Sequence, residues 1–176
     1  YNDSVTLGAN TALSATTATF NGTVAGSGNN LGVTGNAVFG DATTDTVTGL
    51  GTLSVSGTTT INTDTITSAG TQTYTGAVTL GADTTLTTTD STVLFSSTVN
   101  STGGARDLTV NAGTAGITFT GAVGGVAALD AMTLNATGTT TLSAAVTAGS
   151  LTTNASGTTA INGGAVTTTG AQTYND

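Results

Sequence analysis

Asp41 and Asp45 are the closest pair of carboxylates along this chain. Such a pair is what glycoside hydrolysis asks for, one carboxyl protonating the leaving oxygen and the other attacking or activating water. The chain offers no His, Lys or Cys to assist, so imidazole and thiol chemistry is excluded. The pair sits in a longer stretch between Phe39 and Val47, where Asp also serves as a corner residue that accepts bonds from nearby backbone. The corner reading is the stronger one, and no catalytic residue is assigned. Asp3, Asp64, Asp83, Asp90, Asp107 and Asp130 are scattered singly. Calcium takes Asp and carbonyl oxygens, but the pattern G-G-x-G-x-D is absent. No metal ligand, cofactor-binding residue or cofactor is assigned. Asn-x-Ser/Thr sequons at Asn2, Asn21, Asn100, Asn135 and Asn154 are about what chance gives in so Ser- and Thr-rich a chain.

The elements that would carry these residues follow from composition. Only 6% of the 176 residues are charged, Arg106 is the sole cation, and all nine acids are Asp. Without Glu and Lys the usual formers of solvent-facing helices are missing. Thr is the commonest residue, and with Val it favours extended backbone because branching at Cβ restricts χ1. The 26 glycines supply turns. A mean hydropathy of +0.21 with regularly placed apolar residues argues against disorder. A net charge of −8 argues against a nucleic-acid partner, which needs a basic footprint, and against docking on anionic membranes. No apolar run is long enough for a membrane-spanning helix.

The chain repeats itself. Tyr1–Leu13 and Tyr74–Leu86 are near-copies, as are Gly57–Asn62 and Gly157–Asn162. Tyr174-Asn175-Asp176 restates Tyr1-Asn2-Asp3. Residues 1–176 therefore read as a single solenoid segment, about one long-period unit of a tandem array. A shorter period lies beneath. An apolar-x-apolar motif starts at Val5, Leu31, Leu53, Val78, Leu108, Met132 and Leu151. A second motif, a large apolar residue followed by a β-branched one, starts at Phe20, Phe39, Ile61, Phe95, Phe119, Leu142 and Ile161. Their alternation predicts an all-β, right-handed parallel β-helix of about seven coils averaging roughly 25 residues.

Side chains alternate across a strand. In Leu108-Thr109-Val110-Asn111-Ala112 the apolar residues point inward and Thr and Asn outward. Stacking would align Thr6, Ser54, Thr79, Thr109, Thr133 and Thr152 in one outward row. The neighbouring row would hold Asn111, Asn135 and Asn154, with Gly8, Thr34, Ser56 and Gly81 at the other coils. An ice-binding face needs two parallel rows of Thr, and this second row is mixed. The four Phe are expected at one core position. Tyr1, Tyr74 and Tyr174 are expected at a corner with their hydroxyls in water.

Segments such as Gly70–Asp83 and Leu108–Gly113 resemble repeats of filamentous-haemagglutinin-like proteins, which are large exported bacterial adhesins. The resemblance covers most of the chain and rests on repeat phrasing. It implies a right-handed parallel β-helix, export across the outer membrane of a Gram-negative cell, and an extracellular or cell-surface location. It implies a structural, non-enzymatic role in a fibre or adhesin stalk, in adhesion or biofilm matrix. The partners would be copies of the same chain and a host or neighbouring cell surface. Alternatives are an ice-binding or carbohydrate-binding solenoid and, further off, a polysaccharide-degrading β-helix enzyme.

Overall fold

The computed structural model describes residues 1–176. It contains short β-strands and no helix. Every strand pairing is parallel. The pairing register resolves into three ladders that the chain visits in strict rotation, so each turn of the β-solenoid has three sides.

Each side sends alternate residues inward and so carries more than one inward column, of which one per side marks the rotation. On side A it runs Val5, Val24, Val47, Ile66, Leu86, Val110, Leu134 and Thr153. On side B it runs Leu13, Val33, Val55, Tyr74, Phe95, Phe119, Leu142 and Ile161. On side C it runs Ala18, Ala37, Thr59, Val78, Val99, Val123, Val146 and Val166. These columns meet in one apolar cluster of 35 residues along the axis. Each strand is too short to bury anything alone; its inward residues are covered by the rungs above and below.

The solenoid therefore has about eight turns, slightly more than the seven expected, and shorter ones. Side A recurs after 19 residues from Val5 to Val24 and after 24 from Leu86 to Val110. The longer turns carry their extra residues at one corner, between sides C and A: Gly40–Asp45, Thr102–Asp107 and Gly124–Ala128. The motif starts expected to stack together are distributed over all three sides. Val5, Leu108, Met132 and Leu151 lie on side A, Leu31 and Leu53 on side B, and Val78 on side C. The cause is physical: all three sides need the same apolar-x-apolar strand, so the motif does not say which side it occupies.

The aromatic residues form two columns instead of the single position expected. Tyr1, Phe20 and Phe39 stack on side C with centroids 5.1 and 5.5 Å apart. Tyr74, Phe95 and Phe119 stack on side B at 5.2 and 4.6 Å. The four Phe and Tyr74 are fully buried, which is core packing and not a ligand platform.

Candidate functional site

The acidic residues carry the only conventional chemistry in the chain. Asp45 Oδ2 accepts from the backbone N–H groups of Asp41 (3.2 Å) and Ala42 (3.1 Å). The pair is thus a self-capped corner, not two carboxyls facing a shared cleft. Other corner carboxylates and amides reach one coil onward. Asp83 Oδ1 accepts from Asp107 N (3.1 Å), Asp107 Oδ1 from Ala131 N (2.9 Å), and Asp90 Oδ1 from Thr114 N (2.8 Å). Asn10, Asn36 and Asn100 do the same for Asn30, Thr58 and Val126. Corners leave backbone N–H groups outside the ladders, and these side chains satisfy them. Asp90 has a left-handed backbone, φ 52°, a conformation Asp tolerates better than most residues. No three acidic side chains converge, and none of the four surface depressions brings two carboxylates together. Arg106 folds onto its own loop, donating to the carbonyls of Thr102 (3.4 Å) and Gly103 (3.5 Å).

One polar cluster lies inside. Tyr74 is completely buried, contrary to the expected wet corner. Its hydroxyl donates to Gln72 Oε1 at 3.0 Å, and Gln72 Nε2 donates to the carbonyls of Thr87 (3.0 Å) and Ile66 (3.3 Å). Burial raises the Tyr74 phenol well above its ordinary value. Every polar atom of the pair has a partner, so the cluster is a satisfied core element. The sequence did hold a signal for it: Gln72 and Tyr74 are two residues apart and must share a face.

The most regular surface is side A. Its outward residues flank the buried column as Thr65-x-Thr67, Thr85-x-Thr87, Thr109-x-Asn111, Thr133-x-Asn135, Thr152-x-Asn154 and Thr173-x-Asn175. The first row is Thr at every one of these rungs; the second is Thr and then Asn. Thr46-x-Thr48 extends both rows across a bulge. The outward row expected from sequence is corrected accordingly: Thr109, Thr133 and Thr152 do align, but Ser54 is on side B and Thr79 on side C. The expected neighbouring row is likewise split. Asn111 and Asn135 stack as expected, while Thr34 lies on the path of side B.

From Thr65 to Asn154 both rows are half-buried, packed shoulder to shoulder, and hold no charged residue. Side-chain bonds occur only on the second row. Thr67 Oγ1 accepts from Gly49 N (2.9 Å), Asn111 donates to Thr87 Oγ1 (3.2 Å), and Asn135 donates to Asn111 Oδ1 (2.8 Å). Asn154 accepts from Ala136 N (3.0 Å). The first-row hydroxyls face solvent with no partner from the chain.

Comparison with family models, curated proteins and solved structures gives no match to this chain. Sides B and C differ from side A. Their strands are mostly three residues long and expose one row each, which mixes Thr with Leu94 and Ala160 on side B and with Val38 on side C. No helix is long and apolar enough to cross a membrane.

Proposed function

We propose that this chain is a structural segment of a secreted bacterial surface fibre or adhesin stalk, in which coils continue one another along a common axis. The observation that carries this reading is the stacking of about eight like coils in parallel register around one continuous apolar cluster. Gln172 and Tyr174 repeat the buried Gln72–Tyr74 arrangement, with Tyr174 OH donating to Gln172 Oε1 at 3.1 Å. There the motif is exposed: Tyr174 is 39% accessible and Ile161 44%, whereas Tyr74 and Ile61 are 0%. Unpaired strand edges and uncovered apolar columns favour addition of another coil, in the same chain or from another copy. The resemblance to haemagglutinin-like repeats supports the extracellular setting.

The test is the mass of the natural protein in strong denaturant. A mass many times 16.7 kDa supports a covalent stalk. A chain near that mass that stays monomeric at high concentration, by sedimentation and electron microscopy, overturns the fibre reading.

A further inference from the structure

Side A presents something a stalk does not require: an uncharged, two-dimensional grid of hydroxyls and amides in parallel register. Adjacent rungs are about 4.8 Å apart and the two rows about 6.6 Å apart, from strand spacing and two residues of strand rise. A grid of that scale is comparable to the oxygen repeat on the low-index faces of hexagonal ice.

We propose that side A binds ordered water and, through it, the surface of ice. The central residue of each rung is anchored in the core, with Ile66, Leu86, Val110 and Leu134 all fully buried. The outward side chains are therefore held at a fixed pitch. Thr is stiff at χ1, so its hydroxyls are positioned before water arrives and little side-chain freedom is lost on binding. The hydroxyls of Thr65, Thr85, Thr109, Thr133 and Thr152 have only solvent as partner. Beside each hydroxyl sits a methyl group, against which water orders without bonding to it. Each rung thus offers one anchor and one cage-forming group.

The absence of charge decides between water and other occupants. An ionic group binds its hydration shell too strongly to fit a neutral lattice, and both rows from Thr65 to Asn154 are neutral; the acids Asp64, Asp83 and Asp107 stand before the strands, at the corner. A polysaccharide would be held better by outward aromatic faces. Here Phe20, Phe39, Tyr74, Phe95 and Phe119 all point into the core. Only the first row is Thr throughout, so its hydroxyls carry the binding, and the Asn residues of the second row, which bond one another, hold the neighbouring row in register.

The experiment measures ice recrystallisation inhibition and thermal hysteresis with the full chain. The double variant Thr109→Tyr/Thr133→Tyr breaks the first row at two adjacent rungs. Thr118→Tyr/Thr141→Tyr makes the same change on adjacent rungs of side B. Circular dichroism and melting temperature establish that each variant is folded. The expected result is activity in the unmodified chain, lost in the side A variant and kept in the side B variant. No activity in the unmodified chain, or equal loss in both folded variants, overturns the proposal. So does binding of side A to insoluble cellulose or chitin without effect on ice, which would make it a sugar-binding face. If the side A variant fails to fold, Thr109→Val/Thr133→Val replaces it. That variant keeps shape and removes only the hydroxyls, and unchanged activity in it overturns the role given to those anchors.

Discussion

Thr59 illustrates how finely the interior is specified. It occupies the side C column between Ala37 and Val78, and its hydroxyl is buried with no partner. A buried hydroxyl without a bond costs free energy. Thr59→Val keeps the shape and extends the run of valines, and should stabilise the fold by about 1 kcal/mol. A chemical denaturation midpoint that moves upward at constant slope checks it. Tyr74 gives a prediction in pH. Its phenol is held neutral in the folded chain, while the unfolded chain ionises near the ordinary value of 10.0. The unfolded state therefore binds fewer protons above that pH, and stability falls as pH rises past about 10. Tyr74→Phe should cost about 1 kcal/mol at neutral pH, because Gln72 Oε1 loses its donor. It should also flatten the alkaline decline. Melting temperatures of both proteins between neutral and strongly alkaline pH distinguish the two effects; parallel curves would refute the buried-phenol account.

Among the elements, the strands follow from alternation and the corners from special residues. Gly35 has φ +120°, and a Cβ there would meet Ala15 O at 1.7 Å. The previous coil places two residues, Ala15 and Thr16, opposite this single position, a bulge of one extra residue. Gly35→Ala therefore clashes with backbone and adopts a disfavoured conformation, and should lower the melting temperature more than Gly8→Ala, where nothing lies within 4 Å. Phe119→Asp would place an unpaired carboxylate in the side B aromatic column and should cost several kcal/mol. An unchanged melt would contradict the inward register. That register was legible from the sequence: Leu108, Val110 and Ala112 are buried and Thr109 and Asn111 are not. The assignment of strands to sides was not legible. Leu31-x-Val33, Val78-x-Leu80 and Leu108-x-Val110 look alike, yet lie on sides B, C and A. Only pairing with neighbouring rungs separates them, and corner insertions shift the count unpredictably. For the same reason the Thr and Asn grid was legible only in part: Thr109, Thr133 and Thr152 and the pair Asn111 and Asn135 align as expected, while Thr65, Thr67, Thr85 and Thr87 were not placed with them.

For the whole molecule, stability rests on nearest-neighbour contacts between coils. Interior rungs are covered on both faces, while the rung containing Val166–Thr168 and Gln172–Thr173 is covered on one. Its amides should exchange with solvent faster than those of Val93–Phe95 and Ile117–Phe119, in a gradient along the axis measurable by hydrogen exchange. Uniform protection from end to end would indicate a single cooperative block. The near-copies in the sequence add one more constraint. Gly57–Tyr74 and Gly157–Tyr174 match closely, yet Ile61 sits on side C and Ile161 on side B, while Tyr74 sits on side B and Tyr174 on side A. The copies are separated by a whole number of sides but not of turns. Copying a segment at this interval therefore rotates its surface pattern by a third of a revolution and would wind any decoration into a spiral. The straight stripe on side A runs against that drift: Thr65-Ile66-Thr67 lies on it, and its copy Ala165-Val166-Thr167 lies on side C without the first Thr. The stripe on side A is therefore not what copying at this interval would by itself produce.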